Sequence, residues 1–324
     1  TRRKVYPFDF VKFCIFPSPL VAVGVYSAKR AQRTTGDYLL AGRSVPAWLV
    51  ALSAVSTNNS GYMFIGQIGY TYLNGLSSIW LMVGWIVGDL LGSLLVHSKL
   101  RANSAERHSM SFGEVLAGWN GKQFSTVQKL VGGITVLFLT LYAAAQFKAG
   151  SKALHVLFNW DISVGAIIGA GIVFIYCMAG GIRASIWTDA AQSFVMVLAM
   201  GLLLAFAVGD AGGFGSAVQQ MDAVNEGYLS LFPDGFTIGA LLIIIGWFFG
   251  GFGVVGQPHV MVRFMTLDDP GQMKRVRIYY YSWFLVFYAL SIGVGLLARI
   301  LLPELQNTDV ELALPSLSQK VMPD

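Results

Sequence analysis

The chain has 324 residues, 55% of them hydrophobic and only 12% charged, with a formal net charge of +5 and a mean hydropathy of +0.61. A soluble domain carries about 25% charged residues, so this composition excludes one and points to a polytopic membrane protein. The positive balance does not mark a nucleic-acid binder, because the basic residues fall in alternate loops instead of forming one face.

A spanning helix needs about 20 mostly apolar residues. Segments of that kind lie at residues 8–28, 47–70, 78–97, 130–154, 161–182, 188–209, 236–262 and 278–302, which predicts eight transmembrane helices. The first is kinked by Pro17 and Pro19 and holds Asp9 and Lys12 near one end, spaced to pair at i to i+3; it reads as peripheral. Cys14 and Cys177 sit in apolar segments and read as small buried hydrophobes, not as a disulfide. The second helix is interrupted by Ser56-Thr57-Asn58-Asn59-Ser60-Gly61. Hydrocarbon offers such groups no hydrogen-bond partner, so they persist only beside a hydrated cavity or ligand site.

In the third helix Gly84, Gly88 and Gly92 recur every four residues, as do Gly165 and Gly169 in the fifth, a spacing that lets helix backbones approach closely. Asp89 is the single acid deep in the third helix and reads as facing the bundle, paired with a polar neighbour there. In the seventh helix, Gly246 to Pro258 carries five glycines and a proline, a second interruption about 190 residues after the first. Two broken helices in matching places are the mark of a secondary transporter. Lys and Arg concentrate after the first, third, fifth and seventh helices, which makes those loops cytoplasmic and puts both chain ends outside; Arg2, Arg3 and Lys4 alone argue the other way. The chain starts at Thr1 with no recognisable cleavable signal and closes on a polar stretch, so it reads as the N-terminal part of a longer chain. His97, His108, His155 and His259 are scattered, and no carboxylate, cysteine or serine set converges with them, so an enzyme is not expected.

Three motifs carry a family resemblance: DYLLAGRSVPAWLVALSA at 37–54, YCMAGGIRASIWTDAAQ at 176–192 and GQPHVMVRFM at 256–265. In family order and spacing, they resemble the sodium/solute symporters, most closely the sodium/proline branch. The resemblance implies an all-α membrane protein with the leucine-transporter fold, two inverted five-helix repeats that each begin with a broken helix. On it, 1–30 is an accessory helix, 47–210 the first repeat, and 236–324 the first two helices and following loop of the second, whose remaining helices are missing here.

The resemblance also implies the site. The backbone carbonyls of Ser56 and Asn59 would bind sodium, with Thr57, Asn58 and Ser60 shaping the turn or adding oxygen; sodium is a hard cation that takes oxygen ligands. The proline branch has aspartate where this chain has Asn58. Asp189 would be a cation stop on the way to the cytoplasm, or else an N-terminal helix cap. Ser60, Gly61, Tyr62, Tyr142, Gly250, Val254 and Pro258 would meet the solute, although Tyr62, Gly250 and Val254 replace bulkier or different aromatic residues of the proline branch. Trp247 reads as packing, and Arg43 as a tether of the inner gate or a positive-inside anchor. The implied function is sodium-coupled symport of a small organic solute, proline or a related amino acid first, across the bacterial cytoplasmic membrane, with sodium the coupling ion and no other cofactor. The alternatives are a transporter-like sensor joined to a histidine kinase, or an inert truncated product.

Overall fold

The computed structural model describes residues 34–322, apart from the side chains of residues 172–180; the expected helix at 8–28 with Cys14, and Cys177, lie outside the described residues. The short helix α1 (Thr35–Leu40) starts where the Thr34 hydroxyl accepts the Asp37 N–H at 3.1 Å. It is followed by α2 (Ala47–Asn58), α3 (Gly61–Phe64) and α4 (Gly66–Asn74). Almost all of α2 is buried, against long helices that follow later in the chain.

Helix α5 (Ile79–Gly92) continues through a π-helical turn (Ser93–His97) into α6 (Ser98–Glu106). The widened turn has a visible cause. Arg277 donates from Nε to the Ser93 hydroxyl and from Nη2 to the Ser93 carbonyl, both at 3.0 Å, inserting a side chain into the helical ladder. Helix α7 (Phe112–Ala117) leads into a two-residue antiparallel ribbon, β1 (Gly118–Trp119) with β2 (Lys122–Gln123), turned by Asn120 and Gly121, both at positive φ. Helix α8 (Ser125–Phe158) has none of its most apolar stretch buried and so belongs to the periphery.

With no loop between them, the expected fifth and sixth helices together form α9 (Ile162–Asp210) and meet at a kink at Gly181, whose φ of 56° and ψ of −162° suit glycine alone. A Cβ there would sit 2.7 Å from the Tyr38 carbonyl oxygen. Arg183 anchors the bend, pairing with Asp37 and donating to the Ala41 carbonyl at 2.7 Å. After α10 (Phe214–Asp222) come α11 (Ile238–Phe252), α12 (Pro258–Met265), α13 (Met273–Leu301) and α14 (Ala313–Val321).

Among the described residues five helical runs are long and apolar enough to cross a membrane: Gly61–Glu106, Ser125–Phe158, Gly181–Asp210, Ile238–Gly256 and Pro270–Leu301; Ala47–Asn58 and Ile162–Gly171 are shorter apolar helices. The core is the seam where α2 meets α9, α12 and α13. Beside it α5 and α11 touch backbone to backbone, since a Cβ on Gly88 would lie 1.9 Å from the Phe248 carbonyl oxygen and one on Gly251 2.0 Å from that of Trp85. The glycine spacing of the third helix therefore serves the approach of the second broken helix.

Candidate functional site

The first break lies between α2 and α3. Asn59 and Ser60 leave the helical region, with ψ of 92° and 174°. The amides beyond them are diverted: Gly61 N–H donates to Gln146 Oε1 at 2.5 Å, Tyr62 N–H to the Ser60 hydroxyl at 3.2 Å, and Met63 N–H to the Ser60 carbonyl at 3.0 Å. The carbonyls of Thr57, Asn58 and Asn59 thus lose the amides four residues on that would close the helix. Those oxygens are what a hard cation requires. The Ser56 and Thr57 hydroxyls turn back to the Ser53 carbonyl, at 3.2 and 2.8 Å. Asn58 donates from Nδ2 to the Tyr280 hydroxyl at 2.7 Å, while its Oδ1 and both amide atoms of Asn59 are buried without a partner.

A cavity of about 240 Å³ opens on this break, lined by Asn58, Ser60, Tyr62, Met63, Gln67, Leu81, Met82, Trp85, Trp247 and Tyr288. It gathers Asn58, Ser60 and Tyr62 of the expected set. It meets α11 at Trp247, ten residues before Gln257, so the tryptophan read from sequence as packing stands on its wall. Gly61 lies just beside it, held by Gln146. Gly250, Val254 and Pro258 are not part of the lining: a Cβ on Gly250 would meet the Trp85 ring of α5 at 3.2 Å, and Val254 is fully buried. Tyr142 comes close to the break at Ser60, with its ring 5.2 Å from that of His259. Gln67, Trp85 and Tyr288 were not legible as site residues, since each is an ordinary member of an apolar helix until the fold sets them opposite the break.

The second break is closed more tightly. A 3₁₀ turn, Gly253–Gly256, fills it, the Val254 carbonyl accepts Gln257 N–H at 2.9 Å, and Pro258 opens α12 at a position where no amide is needed.

Asp189 stands apart from the cavity. It lies inside α9, eight residues past the bend, so the N-cap role suggested by the sequence does not apply. Its Oδ2 accepts from the Ser53 hydroxyl at 2.7 Å and from Arg263 Nη2 at 2.9 Å. Arg263 Nε donates to the Ser53 hydroxyl at 2.8 Å, and Nη2 to the Ser185 hydroxyl at 3.2 Å. This network joins α2, α9 and α12. It reaches the first break through Ser53, whose carbonyl holds Ser56 and Thr57. Arg43 ties its loop to the end of α6 through the carbonyls of Ser104 and Ser109, at 2.7 and 2.8 Å.

The family model for the sodium:solute symporter family matches residues 38–324. The sodium/proline symporter of Haemophilus influenzae is 30% identical over 303 residues, 91% of this chain and 59% of that protein. The sodium/proline symporter of Escherichia coli is 26% identical over 88% of this chain and 56% of its own length. The chain therefore spans a little over half the length of these curated relatives. Among solved structures, the substrate-bound outward-open state of a Na+-coupled sialic acid symporter superposes with a TM-score of 0.84 at 18% identity, covering 99% of this chain and 67% of that one. The fold is thus of the leucine-transporter type.

Proposed function

Because the chain belongs to the sodium:solute symporter family and is an integral membrane protein, we propose that it binds sodium and a small organic solute at the break after Asn58. Transport then couples the two by alternating access, sodium and solute each favouring the same occluded state. The observation that carries this reading is the diversion of the Gly61, Tyr62 and Met63 amides, which frees carbonyl oxygens beside a cavity of solute size.

On this reading Thr57, Asn58 and Asn59 offer carbonyl oxygen to sodium, with Ser56 one turn behind them, and Ser60, Tyr62 and Trp247 face the solute. Tyr142 and Gln146 hold the break open from α8. Asp189, paired with Arg263, closes the path on the side where Arg43 and Arg183 sit, and sodium leaving toward the cytoplasm would meet it there. The two broken helices begin two repeats, one over 47–210 and one from 236. The relatives named as sodium/proline symporters make proline or a related amino acid the first solute to try, and the bacterial cytoplasmic membrane the setting.

The test is uptake of labelled amino acids into proteoliposomes with and without an inward sodium gradient, for the wild type and Asn58→Ala. Sodium-driven accumulation that falls at least tenfold in the variant is the expected result. Equal entry with and without the gradient, over a panel of solutes, would overturn the proposal.

A further inference from the structure

Asp89 is the one acid of α5, and it lies outside the cavity and both breaks. Its side chain is 0% exposed, its Oδ2 accepts from the Tyr281 hydroxyl at 3.3 Å, and its Oδ1 is buried without a partner. An ionised carboxylate in that setting needs a cation or several donors; a neutral carboxyl needs neither. The elements packed against α5 supply no such cation. Helix α11 and the turns Gly75–Ser78 and Gly253–Gly256 carry no ionisable residue. His97, in the π-helical turn, is buried with both ring nitrogens unpartnered, and α13 brings Tyr280, Tyr281, Tyr288 and Arg277. Arg277 is engaged by Ser93 and by the Ser98 hydroxyl at 3.1 Å, and among the described residues no ion pair reaches Asp89.

A second observation shows what a proton on this carboxyl would switch. Asp89 and Ser93 stand one turn apart on α5, and Tyr281 and Arg277 stand one turn apart on α13. Tyr281 meets Asp89 and Arg277 meets Ser93, so the seam between the helices has two successive rungs. The Arg277 rung is the one that widens α5: a π turn closes i to i+5, which sets Ser93 and Ser98 together under one guanidinium. Moved one rung along, that guanidinium would meet an ionised Asp89, and the π turn would lose the contact that keeps it open. The first break feels this turn of α13 directly. Tyr280 precedes Tyr281, meets its ring edge-on at 4.8 Å and accepts the Asn58 amide at 2.7 Å.

We propose that Asp89 is a proton-binding site that selects between two holds of Arg277. Protonated, Asp89 leaves Arg277 on Ser93 and Ser98 with Tyr280 on Asn58, the arrangement seen here. Ionised, it draws Arg277 along α5 and unseats Tyr280. The proton is exchanged with water, and no other covalent bond changes. The sign follows from burial: the dry arrangement holds the proton more tightly than one in which the seam is wet, so it is favoured at low pH and lost as pH rises. The consequence for sodium rests on the reading of the first break as the ion site, where affinity is highest with Asp89 protonated.

The test has two arms. Infrared spectroscopy of the reconstituted protein in H2O and D2O reads the site itself; a carboxylic C=O band at neutral pH, shifted in D2O, absent in Asp89→Asn and lost as pH rises is expected. Arg277→Gln, which removes the cation that ionised Asp89 recruits, should keep the band to higher pH. Sodium titration followed by thermal stabilisation reads the coupling. Between about pH 6 and about pH 9 the sodium concentration for half effect should rise about tenfold in the wild type and stay at its low-pH value in Asp89→Asn. The absence of such a band at neutral pH, its survival in Asp89→Asn, its loss at an unchanged pH in Arg277→Gln, or an equal pH response of sodium binding in wild type and Asp89→Asn would overturn the proposal. A band that behaves as expected, with no effect of sodium at any pH, would remove the symport reading and leave the proton site.

Discussion

Asn58 is the residue at which the first break is tied to the rest of the bundle. Its amide meets the Tyr280 hydroxyl, 222 positions away in sequence, at 2.7 Å in a wholly buried setting. Asn58→Ala removes one partner and leaves the other buried, which should lower stability by about 1–3 kcal/mol. Asn58→Ala combined with Tyr280→Phe should lower it by less than the sum of the two, a non-additivity that thermal melts in detergent will read. A second residue-scale contact joins a spanning helix to two acids that lie outside the spanning segments. Lys152 pairs with Asp309 at 2.9 Å and with Glu311, tethering the segment after α13 to α8. Burial works to raise the Asp309 carboxyl, but the Lys152 hydrogen bond, the Glu311 N–H and the Lys152 charge outweigh it, and the net shift is below the ordinary value of 3.8. A lowered carboxyl contributes its tether above that value and loses it as pH falls below it. Hydrogen exchange over residues 309–321 should therefore rise below about pH 4, and in Lys152→Met it should be raised already at neutral pH with little further change on acidification.

At the scale of elements, the contact between α5 and α11 admits no side chain at Gly88 or Gly251. Either residue changed to alanine should separate the helices and destabilise by about 1–3 kcal/mol, whereas Gly253→Ala, which meets nothing within 4 Å, should be tolerated on packing grounds. Melting temperatures of the three variants check this directly. The Asp189–Arg263 pair makes a different prediction. Its side chains are only 14% and 10% exposed, and removing one partner of a buried pair is costly, about 3 kcal/mol or more. Arg263→Ala should therefore loosen α12 from α2 and α9, seen as new labelling of a cysteine placed at Ser185 by a water-soluble thiol reagent.

These elements also mark the limits of sequence reading. The breaks were legible because Ser-Thr-Asn-Asn-Ser and the glycine run contradict a lipid-facing helix locally. The division between the fifth and sixth helices was legible around Arg183, but not that it is a kink at Gly181 without a loop, held by Arg183 reaching back to Asp37, 146 positions earlier. The cavity wall was legible only on the side of the first break. Trp85 and Trp247 became lining residues through the α5 and α11 glycines, which decide how near the second broken helix stands, and Tyr288 through the packing of α13. Asp89 was visible as an acid in need of a polar neighbour, and Tyr281 could be assigned to it only once α13 lay alongside.

Over the whole molecule, burial separates a polar seam from an apolar jacket. On α8, Leu130, Val136, Phe138 and Leu141 are all more than half exposed, which suits acyl chains and not water. A cysteine placed at Phe138 should react with a lipid-soluble probe and resist an aqueous one, while a cysteine at Met82 on the cavity should show the opposite preference in a conformation open to solution. Identical labelling of both positions would contradict the division into jacket and seam.

The strand-like bridge that links the chain before α2 to the chain after α12 sets how the halves can rearrange. Val45 N–H donates to the Thr266 carbonyl at 3.1 Å, Asp268 N–H donates to the Val45 carbonyl at 3.0 Å, and Arg101 adds a bond to the Leu267 carbonyl at 2.6 Å. The joint is made largely of main chain, so it survives most side-chain changes and stiffens the feet of both broken helices into a common base. With that base clasped, tilting of the upper segments has two fulcrums available, the non-helical residues at 59–60 and the turn at 253–257. The same segments that expose carbonyl oxygen to a cation are therefore the places where the backbone can flex, and an ion seated there would grip the pivot itself.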